Sequence, residues 1–126
     1  MPSTTAYTIA IFGLSCFLSG IFTLFNASIS LSTLDLPPTA RPAVQASSLA
    51  AIAMGVFYCL AAWQENRAFF KFSLGTRTLT TVVFLRTGGP WWMLGIWEGV
   101  GVLSTMAGLV WDRRKRNARW RSSEKK

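Results

Sequence analysis

The chain has 126 residues, of which 51% are hydrophobic and only 14% charged, with a mean hydropathy of +0.35. Soluble domains carry about 25% charged residues, so the composition argues against an ordinary soluble fold and for one domain in a lipid setting. The net charge of +8 is concentrated: eight of the 13 Lys and Arg follow Asp112, and no charged residue precedes Asp35. A basic run behind an apolar segment suits anionic lipid headgroups, whereas a nucleic-acid binder spreads its charge over a soluble face. The absence of histidine removes the commonest general base and metal ligand. Cys16 and Cys59 both lie in apolar runs without CxxC spacing and read as packing residues. No metal or cofactor is expected, and nucleic acid is not an expected partner.

In chain order, residues 7–31 form an uncharged run long enough to span a bilayer with some tilt. The first six residues carry no Lys or Arg, unlike the basic start of a cleavable signal peptide, so the run is read as an anchored first helix. Leu34-Asp35-Leu36-Pro37-Pro38 breaks it, because proline removes donors and stops helices. Pro42 opens a second run, 43–63, where proline is tolerated at a helix start. Ala46, Ala50, Ala51 and Gly55 give this run small faces that allow close backbone approach, and it is expected to be the helix most enclosed by protein.

A polar corner, Gln64-Glu65-Asn66-Arg67, precedes a third run at 69–86, the least hydrophobic of the four. Thr87-Gly88-Gly89-Pro90 turns the chain into the fourth, 91–111, with Gly95 and Gly99 in a GxxxG arrangement repeated by Ser104 and Gly108. Trp63, Trp91, Trp92 and Trp111 fall at the ends of runs, as an interfacial belt requires. The fold class expected is therefore all-α: a four-transmembrane-helix bundle of two helical hairpins over residues 1–112, followed by a basic tail at 113–126. Four spans place both termini on one side. The tail, Arg67 and Lys71 share that side, so the positive-inside rule assigns it to the cytosol. The basic tail is read as a juxtamembrane segment rather than a nuclear signal. Lys125-Lys126 resembles a dilysine signal with displaced spacing, Asn26-Ala27-Ser28 is a glycosylation pattern inside a span, and the endoplasmic reticulum is the expected membrane.

Two charges lie where charge is costly, Arg77 in the third run and Glu98 in the fourth. The midpoint of 77 and 98 falls inside the Gly-Gly-Pro turn, so in a helical hairpin both lie about 16 Å from it, at 1.5 Å per residue. That is near the middle of a hydrocarbon layer about 30 Å thick, where a lone charge costs about 2.5 to 3.5 kcal/mol. Each is thus the expected partner of the other. The bland reading is that the pair only holds the two helices in register. The functional reading is that a carboxylate kept ionised by a cation activates water or moves a proton at a strained oxygen. No GxSxG, no Walker loop and no His or Cys cluster supports acyl, phosphoryl or metal chemistry. Opening an epoxide needs only a base and an acid.

The runs Leu34-Asp35-Leu36-Pro37, Leu74-Gly75-Thr76-Arg77-Thr78 and Gly95-Ile96-Trp97-Glu98-Gly99 resemble a family of small four-helix fungal membrane proteins. Some of its members are similar to the epoxide hydrolases of citreoviridin- and aurovertin-type polyketide pathways. Where relatives carry a Gly-Ala-Arg-Asp-like patch in the second helix, this chain has Gln45-Ala46-Ser47-Ser48, so nothing is carried over there. The resemblance implies a membrane-embedded epoxide hydrolase or cyclase acting on a lipophilic polyketide-type substrate in secondary-metabolite biosynthesis. Glu98 is then the candidate base, Arg77 its electrostatic partner and Asp35 a candidate acid. Trp97, Asn26, Gln45 and Arg86 are candidate substrate-binding residues. The alternative is a non-catalytic scaffold or tether that holds biosynthetic enzymes at the membrane through its tail. The sequence leaves a homo-oligomer open.

Overall fold

The computed structural model describes residues 2–123, and every regular element among them is helical. The described residues form five α-helices: α1 (Thr4–Phe25), α2 (Ala27–Thr33), α3 (Arg41–Trp63), α4 (Arg67–Thr87) and α5 (Trp92–Ser123). Single 3-10 turns at Pro38–Ala40 and Gly89–Trp91 lead into α3 and α5. Lys125 and Lys126, and any signal they form, lie outside the described residues.

Among the described residues three helices, rather than the expected four, are long and apolar enough to cross a membrane: α1, α3 with its leading turn, and α5. α4 has the length, 21 residues or about 32 Å at 1.5 Å per residue. Its hydropathy is diluted by Lys71, Arg77, Arg86 and the threonines around them. The first apolar run is not one helix either. It stops at Phe25 and restarts at Ala27, because Asn26 leaves the helical region (φ −120°, ψ 44°) and turns its side-chain amide back to the Phe22 carbonyl at 3.0 Å. At the other end, α5 passes Asp112 without a break, so the described part of the basic tail is a helical continuation of the last apolar run.

α1 holds the central place expected of α3. It packs antiparallel on α3 through backbone-to-backbone contact at Gly13, Gly20 and Gly55. A Cβ at Gly55 would come within 2.6 Å of the Phe17 amide nitrogen, and one at Gly20 within 2.9 Å of the Ser48 carbonyl oxygen. This is the close approach that small residues permit in membrane helices. Of the small residues singled out in α3, Gly55 makes the crossing, whereas Ala46 and Ala50 are exposed. α5 packs on the other side of α1, with Gly108 against Thr5. α4 folds back along α5, where Gly95 receives Leu85 and Gly99 faces Thr81.

Side-chain hydrogen bonds fasten one end of the bundle. Asp112 accepts bonds from the Thr4 and Thr5 amides and the Thr5 hydroxyl at 3.1, 2.9 and 2.6 Å. Glu65 accepts bonds from both the amide and the hydroxyl of Ser3. Two acids thus cap the unsatisfied donors at the start of α1 and tie it to the α3–α4 corner and to α5. Just inside, Ile9, Tyr58, Ala61, Ala62 and Phe70 form a tight hydrophobic cluster from three helices. Toward the opposite end α3 and α4 diverge, which leaves a cavity between them. Large apolar side chains face outward on every long helix, among them Leu14, Phe57, Leu79 and Leu103.

Candidate functional site

Arg77 is almost wholly buried, 2% exposed, although it belongs to the least apolar helix. Its Nε donates to Glu98 Oε2 at 3.1 Å, and its terminal nitrogens reach the Glu98 backbone carbonyl at 3.3 Å and the Thr105 hydroxyl at 3.5 Å. The guanidinium also lies over the ring of Phe12, 3.3 Å from its centroid, which adds a cation–π attraction in a desolvated setting. Space for the group comes from Gly101: a Cβ there would collide with the guanidinium and with Phe12. The hairpin therefore pairs the two charges, as expected, and a glycine notch in α5 lets the arginine lie flat between helices, although the register that sets Leu85 on Gly95 and Thr81 near Gly99 puts Arg77 opposite the Gly101 turn of α5 rather than level with Glu98.

Glu98 differs from its partner in exposure. Its side chain is 15% exposed against 3% for that of Arg77, and Oε1 makes no hydrogen bond among the described residues. It lines a cavity of about 860 Å³, within the range of about 300–1,000 Å³ typical of ligand pockets. Phe12, Cys16 and Tyr58 share the inner end with Arg77 and Glu98, while Leu34, Ala40 and Trp91 surround the outer end. Trp97 forms part of the wall and lies against Phe12, with centroids 4.6 Å apart and the rings tilted by 30°.

The wall is apolar with interspersed hydroxyls. Ser19, Ser47, Ser48, Thr76 and Thr80 all line it, and each donates its proton to a carbonyl of its own helix. What they present inward is lone pairs.

The remaining candidates lie elsewhere. Asp35 is exposed and does not line the cavity, although Leu34 and Leu36 on either side of it do. It takes a left-handed conformation (φ 52°) that lets the Leu36 amide close back on the Leu31 carbonyl, a helix-ending role. Asn26 breaks α1 from α2, and Gln45 is half-buried on α3 beside the lining residue Val44. Arg86 is exposed in the last turn of α4, where a cation complements the helix dipole. None of these three lines the cavity. Residues that sequence reasoning missed are Phe12, Tyr58, Gly101 and Thr105. Only Gly101 carried a signal, as one more small residue in a helix already marked by Gly95 and Gly99. Among the described residues no three His, Cys, Asp or Glu side chains assemble a metal site.

Fold and site together define an all-helical protein, compatible with integral membrane placement, whose buried Arg77–Glu98 pair forms the inner end of an apolar cavity. No family model, curated protein or solved structure matches the chain.

Proposed function

We propose that the protein is a membrane-embedded epoxide hydrolase or cyclase for a lipophilic polyketide-type substrate. The observation that carries this reading is Glu98 itself: one carboxylate oxygen is held by Arg77 while the other is unbonded at the end of a substrate-sized cavity. In this role Glu98 accepts a proton from water or from a substrate hydroxyl, which attacks the epoxide carbon. Arg77 keeps the carboxylate ionised in surroundings that otherwise disfavour charge. Apolar walls hold a hydrocarbon body, and Trp97 bounds it on one side.

The reading places α4 across the membrane as a fourth span. Two features support this despite its modest hydropathy. Thr76, Thr78, Thr80, Thr81 and Thr87 all donate to carbonyls of their own helix, as lipid-embedded hydroxyls require. Its outer face carries Phe72, Leu79, Val82 and Val83. With four crossings the termini lie together, and the positive-inside rule puts them in the cytosol of an endoplasmic reticulum membrane.

The test is direct. Purified full-length protein is incubated with lipophilic epoxides in 18O-labelled water, and products are sought as labelled diols or unlabelled cyclic ethers. Glu98→Gln should lower turnover by about 10²- to 10⁴-fold, the range for loss of a general base, with unchanged protein level. Full activity in that variant ends the mechanism.

The scaffold reading rests on a different observation, the exposed basic extension of α5 with Trp120 72% exposed. Deleting residues 113–126 separates the two: an enzyme keeps turnover once inserted, whereas a tether loses its pathway role.

A further inference from the structure

Tyr58 is 3% exposed and lies on the face of α3 that packs against α1. Its ring is held edge-on by Phe12 at 5.5 Å and by Phe69 at 5.3 Å, and its Cβ sits against Gly13, where a methyl group would not fit. Among the buried hydroxyls it stands apart. Thr5 donates to Asp112, Ser48 and Ser73 to carbonyls of their own helices, and Thr105 accepts from Arg77. The Tyr58 hydroxyl forms no hydrogen bond among the described residues, yet no described buried polar side-chain atom is left sealed away without a partner. The phenol oxygen is therefore in contact with open space, and the space that Tyr58 lines is the cavity. A buried phenol normally finds a partner. Here no described protein group supplies one, so the phenol is free to bond to whatever enters the cavity.

The rest of the cavity says what that partner must be. Glu98 Oε1 accepts, the Arg77 donors are engaged by Glu98 and Thr105, and Ser19, Ser47, Ser48, Thr76 and Thr80 have given their protons to backbone carbonyls, while Ser30 donates to Thr23 on the same wall. A lipophilic ligand with an ether-type oxygen, which can only accept, finds its donor in the phenol. We propose that Tyr58 is a hydrogen-bond donor of this cavity, binding the acceptor oxygen of a lipophilic cyclic ether or epoxide opposite the acceptor Glu98.

Resting on the epoxide-opening reading, the assignment supplies an acid on the cavity wall, which Asp35 does not line. The proton of water or of a substrate hydroxyl passes to Glu98 as the new carbon–oxygen bond forms. The epoxide carbon–oxygen bond breaks with its electron pair going to oxygen, and that oxygen takes the Tyr58 proton. Transfer of the proton from Glu98 back to the phenolate through the product hydroxyl restores both groups. Water adds in hydrolysis, and nothing is added in cyclisation.

The experiment compares two non-reactive probes, 2-dodecyltetrahydrofuran and dodecylcyclopentane, which differ in one acceptor oxygen. Binding to full-length protein in nanodiscs is read by tryptophan fluorescence for the wild type, Tyr58→Phe and the exposed-site control Tyr7→Phe. The wild type and the control should prefer the ether by about five- to tenfold, roughly what one neutral hydrogen bond contributes. Tyr58→Phe should lose that preference while binding the hydrocarbon as before, since the aromatic contacts are kept. An ether preference retained in Tyr58→Phe, or absent from the wild type, overturns the assignment. If the preference depends on Tyr58 while no epoxide is ever opened, the donor assignment stands and the epoxide-opening reading falls. Where turnover is seen, the Tyr58→Phe defect should shrink for electron-poor aryl epoxides, whose departing oxygen needs less help from an acid. An equal defect for all epoxides overturns the proton-transfer role.

Discussion

At the scale of single residues, the Arg77–Glu98 pair decides most of what can be tested. A buried pair is held in place by mutual attraction against a large desolvation cost, so losing one member is far worse than losing both. Arg77→Met should destabilise the protein by about 3 to 5 kcal/mol through the stranded carboxylate. The double change Arg77→Met with Glu98→Gln should recover most of that loss in detergent-micelle unfolding and still lack turnover. That outcome separates a catalytic carboxylate from a purely structural one. Gly101 gives a second comparison at this scale. Gly101→Ala pushes a methyl group into the guanidinium and should cost about 1 to 3 kcal/mol by overpacking. Gly75→Ala on α4 meets no neighbour within 4 Å and should gain up to about 1 kcal/mol from helix propensity. Asp35 belongs with the backbone: Asp35→Gly relieves a left-handed conformation and should leave turnover intact.

At the scale of elements, the start of α1 and the crossing of α4 carry the weight. α1 begins with free backbone amides, and Asp112 and Glu65 reach them from other helices. A cap supplied across the bundle is both a helix stop-gap and a tertiary tie. Asp112→Ala should therefore cost about 0.5 to 2 kcal/mol and loosen the joint between α1 and α5, seen as faster amide exchange in the first turn of α1. For α4, single cysteines at Asn66 and Gly88 in a cysteine-free background should label from opposite sides of sealed vesicles. Labelling from one side would reduce the protein to three crossings and remove the membrane depth argued for Arg77. α4 meets this requirement through its partner. Its arginine is neutralised by α5, and its hydroxyls are satisfied within the helix.

At the scale of the whole molecule, the bundle is pinned at the end where Ser3, Glu65 and Asp112 meet and splayed at the end where Leu34, Ala40 and Trp91 surround the cavity. The splay follows from where the small residues lie. Glycines at 13, 20 and 55 draw α1 and α3 together along their length, and those at 95, 99 and 101 do the same for α4 and α5. No such stripe draws α3 to α4, so beyond Phe70 the gap between them stays unfilled. Filling it should block the site without unfolding the protein. Ser47→Trp, on the cavity wall rather than in a packed seam, should reduce ether-probe binding by about tenfold or more while the melting temperature shifts little, as expected for a change outside the packed core.

By itself the sequence determined that the chain is helical and apolar, where the Pro37-Pro38, Gln64-Glu65-Asn66-Arg67 and Gly88-Gly89-Pro90 corners fall, and that Arg77 and Glu98 are partners, because residue spacing along a helix sets the height that each side chain can reach. It also marked Gly95 and Gly99 as a close-packing face. Only the tertiary structure decided which side of each helix meets which neighbour. That is why Ala46 and Ala50 turned out exposed and α1 rather than α3 central, and why Asp35, Asn26, Gln45 and Arg86 fell away from the cavity that Phe12 and Tyr58 entered. Height is a property of one helix at a time. A cavity is a property of the rotation and divergence of several, and those are fixed by contacts between residues far apart in the chain, such as Gly13 with Tyr58 and Arg77 with Gly101.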